Sequence, residues 1–180
     1  KSYLNKSFDQ LDSLTGLYQS ILIKDLDGDD YEDIIVGNLG LNTRLKARQD
    51  YPLSLYINDF DRNGRMEQIF VQNDEYGSYP MVQRADLLKR VPYLNKKYPD
   101  YKSFALQTIQ DIFDEDQLKN SLSNSVVELG SLVLWNNGDG TFEKKLLPVE
   151  GQMSSVYAIA ADDVNDDGDV NHDDDDGGDT

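Results

Sequence analysis

The sequence contains no cysteine, so neither a disulfide framework nor a thiolate metal site is open to it. That absence leaves the compartment undecided, because exported bacterial proteins often lack cysteine too. Histidine is almost missing as well: His172 is the only one, and it stands in an aspartate-rich end. Without cysteine no cysteine triad can be assembled, and a serine triad would have to use His172, which is read as a solvated residue without a catalytic role. No run approaches the ~18 apolar residues that a membrane span requires, so no transmembrane segment is expected, and no signal peptide is evident. Phosphate-cradling glycine loops are lacking too: "GNLGLN" (Gly37–Asn42) has neither the G-x-G-x-x-G spacing nor a following helix. The first residue is Lys1 rather than Met, and the expectation is a processed or excised piece of a longer chain.

Positive charge is scarce. Seventeen Lys and Arg face 34 Asp and Glu, a formal net charge of −17, which argues against a nucleic-acid backbone as partner and suits cations. The excess is unevenly placed: ten of the nineteen residues from Asp162 to Thr180 are Asp, so the first 161 residues carry only −7. "HDDDDGGDT" (His172–Thr180) reads as a self-repelling, disordered tail, and the rest of the 180 residues as a mildly acidic globular body able to bury a core.

Alternating and β-branched stretches predict short strands in "YQSILIKD", "DIIVGN", "LSLYINDF", "EQIFVQND", "SVVELGSLVLWNN", "TFEKKLLPV" and "SSVYAIAADD". "NNGDGTF" (Asn136–Phe142) carries the Asn/Asp-Gly chemistry of a tight hairpin. Between the strands, residues 84–122 read as a helical block. Ala105, Thr108, Ile109, Ile112 and Phe113 share one helical face, as do Leu87, Leu88, Val91, Leu94 and Tyr98. Pro92 is expected to end one helix and open another. Asp114 and Gln117 form a capping-box pattern, with Leu118 and Leu122 to one side. These stripes, and Tyr93, Tyr98, Tyr101 and Trp135, are read as packing residues. The resulting class is a mainly β scaffold with an α-helical insertion.

One acidic pattern repeats. "DLDGDDYED" (Asp25–Asp33) recurs 34 residues on as "DFDRNGRME" (Asp59–Glu67), and again as "DVNDDGDVN" (Asp163–Asn171). Oxygen donors at positions 1, 3 and 5, a backbone carbonyl at 7 and a side-chain oxygen at 9 can curl around one hard cation, typically Ca2+ at ~2.3–2.6 Å. The assigned donors are Asp25, Asp27, Asp29, the Tyr31 carbonyl and Asp33; then Asp59, Asp61, Asn63, the Arg65 carbonyl and Glu67; then Asp163, Asn165, Asp167, the Asp169 carbonyl and Asn171. A single such stretch in so acidic a chain is equally well a set of polar turns. Three copies, each between apolar strands, favour a cation site. An EF-hand needs a glutamate at position 12 and flanking helices, whereas position 12 is Val36 in the first loop and Phe70 in the second. The third loop has Asp174 there and resembles a dockerin calcium loop, although neither an apolar helix nor a duplicate loop follows it.

The strand–"DxDxDGxxD"–strand unit with "NNGDGTF" one hairpin ahead resembles FG-GAP/VCBS repeats, the blade units of integrin-α-type β-propellers. "DLDGDDYEDIIVGNLGLNTRLKA", "PLSLYINDFDRNG" and the block from Tyr79 to Phe113 resemble the VCBS-repeat proteins of Bacteroidota. The resemblance implies a partial propeller of two to three blades, each stapled by calcium. In this scheme residues 1–83 hold blade units with two loops, 84–122 the insertion, 123–171 a further unit with the third loop, and 172–180 the tail. It also implies an extracellular or cell-surface protein, in some cases an outer-membrane lipoprotein, whose partners are the rest of its propeller and a surface protein or glycan. The departures are Arg62-Asn63-Gly64 and Glu67 in the second loop, and the break after Asn171. No catalytic residue is assigned, since the carboxylates are bunched at metal-ligand spacing. The rival expectation is a carbohydrate-binding or carbohydrate-processing component that uses exposed aromatics.

Overall fold

In a computed structural model, Leu11 and residues 13–162 are described. The third acidic loop and the acidic tail lie outside the described residues. The chain divides into two compact units: Lys1–Thr43 with Leu129–Thr180, and Arg44–Glu128. The second unit is therefore an insertion within the sequence of the first.

The first unit holds β1 (Ser20–Lys24), β2 (Asp33–Gly37), β7 (Leu132–Asn136) and β8 (Phe142–Leu146), an antiparallel sheet in the order β1-β2-β7-β8. Its register puts Ile21, Val36 and Leu132 on one face with Ile23, Ile34 and Leu134, while Leu22, Ile35 and Val133 line the other. Both faces are thus apolar, which is why the segments read as nearly continuous Val/Ile/Leu runs. Ile21 and Ile23 on the edge strand are exposed, whereas Leu132 and Leu134 in the middle are buried. The β7–β8 hairpin turns through Asn137–Thr141, and Gly138 (φ 71°) and Gly140 (φ 91°) supply the left-handed residues that turn requires.

The second unit holds β3 (Leu53–Asn58), β4 (Glu67–Asn73), β5 (Ser78–Pro80) and β6 (Leu122–Val126), in the order β5-β4-β3-β6. Helices α1 (Arg84–Arg90), α2 (Tyr101–Phe104), α3 (Ile109–Ile112) and α4 (Glu115–Lys119), with a 3₁₀ turn at Pro92–Asn95, cover one face of it. Ile69 and Val71 of β4 meet Leu87, Val91, Leu94, Ile109 and Phe113 there, and Phe60 stacks on Phe113 with ring centroids 4.1 Å apart. Burying side chains of this size contributes about 1.5–3 kcal/mol each.

Four expectations change. The stripe from Ala105 to Phe113 is not one helix: α2 stops at Phe104, Leu106 takes φ 63°, and Thr108 caps a fresh turn. Ile109, Ile112 and Phe113 are buried as the spacing implied, but Ala105 is exposed. Leu122 opens β6 and is exposed, because pairing with Ile57 claims its backbone. "SSVYAIAADD" forms no strand among the described residues; single bonds hold it, from the Val156 N–H to the Asn38 carbonyl (3.0 Å) and from Ser20 Oγ to the Val156 carbonyl (2.7 Å). Of the three insertion tyrosines only Tyr98 is in the core; Tyr93 and Tyr101 are exposed.

Helices of four or five residues fall below the length at which helix formation sustains itself, so capping is decisive here. All three of α2, α3 and α4 carry reciprocal capping boxes, at Asp100/Ser103, Thr108/Asp111 and Asp114/Gln117. Hydrogen bonds from the Thr108 hydroxyl and amide hold the Asp111 carboxyl below its usual range. A lowered folded-state value stabilises the protein above the unfolded value and is lost as pH falls through the folded one. Thr108→Ala is therefore expected to lower stability by about 1 kcal/mol in urea unfolding near neutral pH. Part of the difference from wild type should vanish as acid protonates Asp111, the part from the Thr108 hydroxyl to the Asp111 carboxylate; a difference constant down to strongly acid pH would contradict that half of the capping box.

Candidate metal centres

Each of the first two acidic loops closes an antiparallel pair at the same register. Lys24 pairs with Asp33 at the end of β1–β2, and Asn58 pairs with Glu67 at the end of β3–β4. Inside the loops the backbone follows one path. The position-1 carboxylate accepts the N–H of position 6: Asp25 Oδ2 from Asp30 at 3.0 Å, Asp59 Oδ2 from Gly64 at 2.8 Å. Position 5 accepts the N–H of position 7: Asp29 Oδ1 from Tyr31 at 2.8 Å, Asn63 Oδ1 from Arg65 at 2.9 Å. Position 9 accepts the N–H of position 2: Asp33 Oδ2 from Leu26 and Glu67 Oε2 from Phe60, both at 3.0 Å.

The dihedral angles agree with this correspondence. Left-handed residues fall at positions 4 and 6 in both loops, Gly28 (φ 76°) and Asp30 (φ 69°) in one, Arg62 (φ 58°) and Gly64 (φ 84°) in the other. Sequence reasoning assigned the odd positions and overlooked position 2. Leu26 and Phe60 are buried there, anchoring each loop to a core while their amides close it. An apolar residue between two aspartates was the available signal.

The loops gather their carboxylates differently. Asp25, Asp27 and Asp29 bring oxygens within 4.8 Å of one another, and in the second loop Asp59, Asp61 and Glu67 do so. Asp33 is almost wholly buried, and its other oxygen accepts the Asn136 N–H of β7 at 2.8 Å, tying the loop to the neighbouring strand. Asn136 also donates through Nδ2 to the Glu32 carbonyl at 3.1 Å. Glu67 is one methylene longer, and besides accepting the Phe60 N–H it brings a carboxylate oxygen into the group with Asp59 and Asp61. Tyr31 and Arg65, assigned through their carbonyls, are exposed at the loop tips.

Clustering perturbs ionisation. Desolvation within the loop, then the charges of Asp29, Asp33 and Asp25, push the Asp27 carboxyl above its ordinary value. Burial does the same to Glu67, with Asp61 and Asp59 adding to it against the Phe60 N–H. The donor set is entirely carboxylate and amide oxygen, without nitrogen or sulfur, which fits calcium or another hard divalent cation. Compared with protein-family models, curated proteins and solved structures, the chain matches none.

The equivalence of Gly28 and Arg62 can be tested. A side chain in the left-handed region costs about 1–2 kcal/mol, so Gly28→Ala should lower the unfolding free energy measured in denaturant by that much. Arg62→Gly should leave stability unchanged or higher, since glycine already serves this conformation in the first loop. A marked loss in Arg62→Gly would show that the two loops do not share a backbone path.

Proposed function

We propose that this chain is a non-enzymatic, calcium-stapled stretch of repeated β units, of the FG-GAP/VCBS blade kind, from a larger exported or cell-surface protein. Its role is architectural: to hold a surface for adhesion to a protein or glycan partner. The observation that carries this reading is the shared hydrogen-bond pattern of two acidic loops, 34 residues apart, each closing a strand pair in its own compact unit. Two further features support it. The carboxylates in each loop repel one another without a cation between them. The first unit's sheet is apolar on both faces, as suits a blade stacked between neighbours in a propeller of four to eight blades. Asp25, Asp27 and Asp29 would hold one ion, and Asp59, Asp61 and Glu67 the other. What the ion supplies is charge neutralisation and crosslinking of the loop, with no reaction step.

A carbohydrate-binding role is favoured by one observation. Trp135 and Glu143 wall a cleft of about 240 Å3 that opens beside Asp27 and Asp29.

Thermal unfolding with calcium and with chelator tests the main reading. An ion present at 100 times its dissociation constant, bound only to the folded state, should add about 2.7 kcal/mol. Asp27→Asn and Asp61→Asn should each remove part of the calcium-dependent rise in Tm. A melting temperature indifferent to calcium would sink the proposal.

A further inference from the structure

The acidic loops and the cleft beside Trp135 belong to the reading above; a separate feature of the second unit does not. In a chain of net charge −17, Arg44, Lys46 and Arg48 stand at alternate positions of one segment, Arg44 at a bend and Arg48 in a β-bridge with Tyr51. All three are exposed, while Leu45 and Ala47 between them are half-buried, so the cations form a row on the solvent side. All three line the same cleft, so neighbouring cations can address one ligand. None of the three forms an ion pair with a described residue.

The row is held in place by its backbone. Gln72 grips Lys46 on both sides, its Oε1 accepting the Lys46 N–H at 2.9 Å and its Nε2 donating to the Lys46 carbonyl at 2.8 Å. Arg48 and Tyr51 exchange two backbone hydrogen bonds, 3.3 and 3.0 Å, and the guanidinium carbon sits 4.5 Å from the Tyr51 ring centroid. Such preorganisation lowers the entropy lost when a ligand binds.

These cations line a cleft of about 490 Å3 together with Tyr51, Asn73 and Asp74. Apart from the Tyr51 hydroxyl, which both donates and accepts, and Gln72, whose amide is engaged with Lys46, the remaining polar side chains there offer acceptors. Asn73 spends its Nδ2 on the Pro52 carbonyl and on Ser54 Oγ, which leaves Oδ1. Asp74 uses Oδ1 for the Tyr76 and Gly77 amides at 2.8 and 3.0 Å, which leaves Oδ2. A ligand matched to the cleft therefore carries an oxyanion for the cations and hydroxyl donors for the acceptors. A bare polyanion supplies only the first and meets repulsion from Asp74.

We propose that the cleft between the 44–48 segment and the end of β4 binds an acidic saccharide, a sugar bearing a carboxylate or sulfate. The net charge of the chain opposes this only weakly, since charges farther off than the Debye length, about 8 Å at physiological ionic strength, are largely screened. The site uses none of the proposed calcium donors, so it stands or falls separately from them.

The test is a binding titration of the full chain in chelator, with sulfated dextran oligosaccharides and oligogalacturonate as probes. Neutral dextran and single-stranded DNA serve as comparisons. Binding to at least one acidic saccharide is expected, weaker at about 0.5 M salt than at 0.1 M. Arg44→Gln and Arg48→Gln should each weaken it roughly tenfold, the loss of one charge-assisted hydrogen bond. Both side chains are exposed, and melting curves matching wild type confirm that the variants fold. Binding of either saccharide alone supports the proposal and identifies the anion. Absence of binding to both, equal binding of neutral dextran, DNA binding as tightly as the saccharides, or variants that bind like wild type would each overturn it.

Discussion

In both units a carboxylate at the foot of a strand, Asp33 or Glu67, accepts the backbone N–H of an apolar residue seven positions earlier. The acidic loop between is shaped by that closure. Its apolar end is buried, so the loop cannot swing away without withdrawing Leu26 or Phe60 from its surroundings. A hydrogen bond to an ionised acceptor is stronger than a neutral one, and both of these are shielded from water. The close spacing of the remaining carboxylates follows from this constraint rather than from any attraction among them.

The two loops show how one backbone accommodates different residues. Glycine takes the left-handed position 4 in one and arginine in the other, while position 6 is aspartate in the first and glycine in the second. The switch from aspartate to glutamate at position 9 has a physical counterpart. The shorter side chain is shared with β7 through Asn136, whereas the longer one reaches the carboxylates of its own loop.

Periodic and local signals were legible in the sequence. The β1–β4 strands, the β7–β8 hairpin, the Asp114/Gln117 capping box and the buried row from Leu87 to Tyr98 all follow from spacing and turn chemistry. Misreadings came where tertiary context decides. Ala105 to Phe113 has helical spacing, yet Leu106 at φ 63° breaks it, and nothing in that leucine announces the conformation. Tyr93 and Tyr101 match core tyrosines in type but differ in which way their turns face. Asn136 and Gln72 act through partners 103 and 26 residues away, a relation that no local pattern encodes.

The insertion of one unit within the other sets an order on assembly. The second unit is continuous from Arg44 to Glu128 and can complete its own sheet as soon as that stretch has left the ribosome. The β1–β2 hairpin, made first, must wait with an exposed strand edge until β7 arrives nearly a hundred residues later. Contacts of such separation fold slowly, because a long loop must close before they stabilise anything. The waiting hairpin, with the Ile34–Val36 edge unpaired until β7 arrives, is therefore a part of the nascent chain open to capture by chaperones or to misassociation.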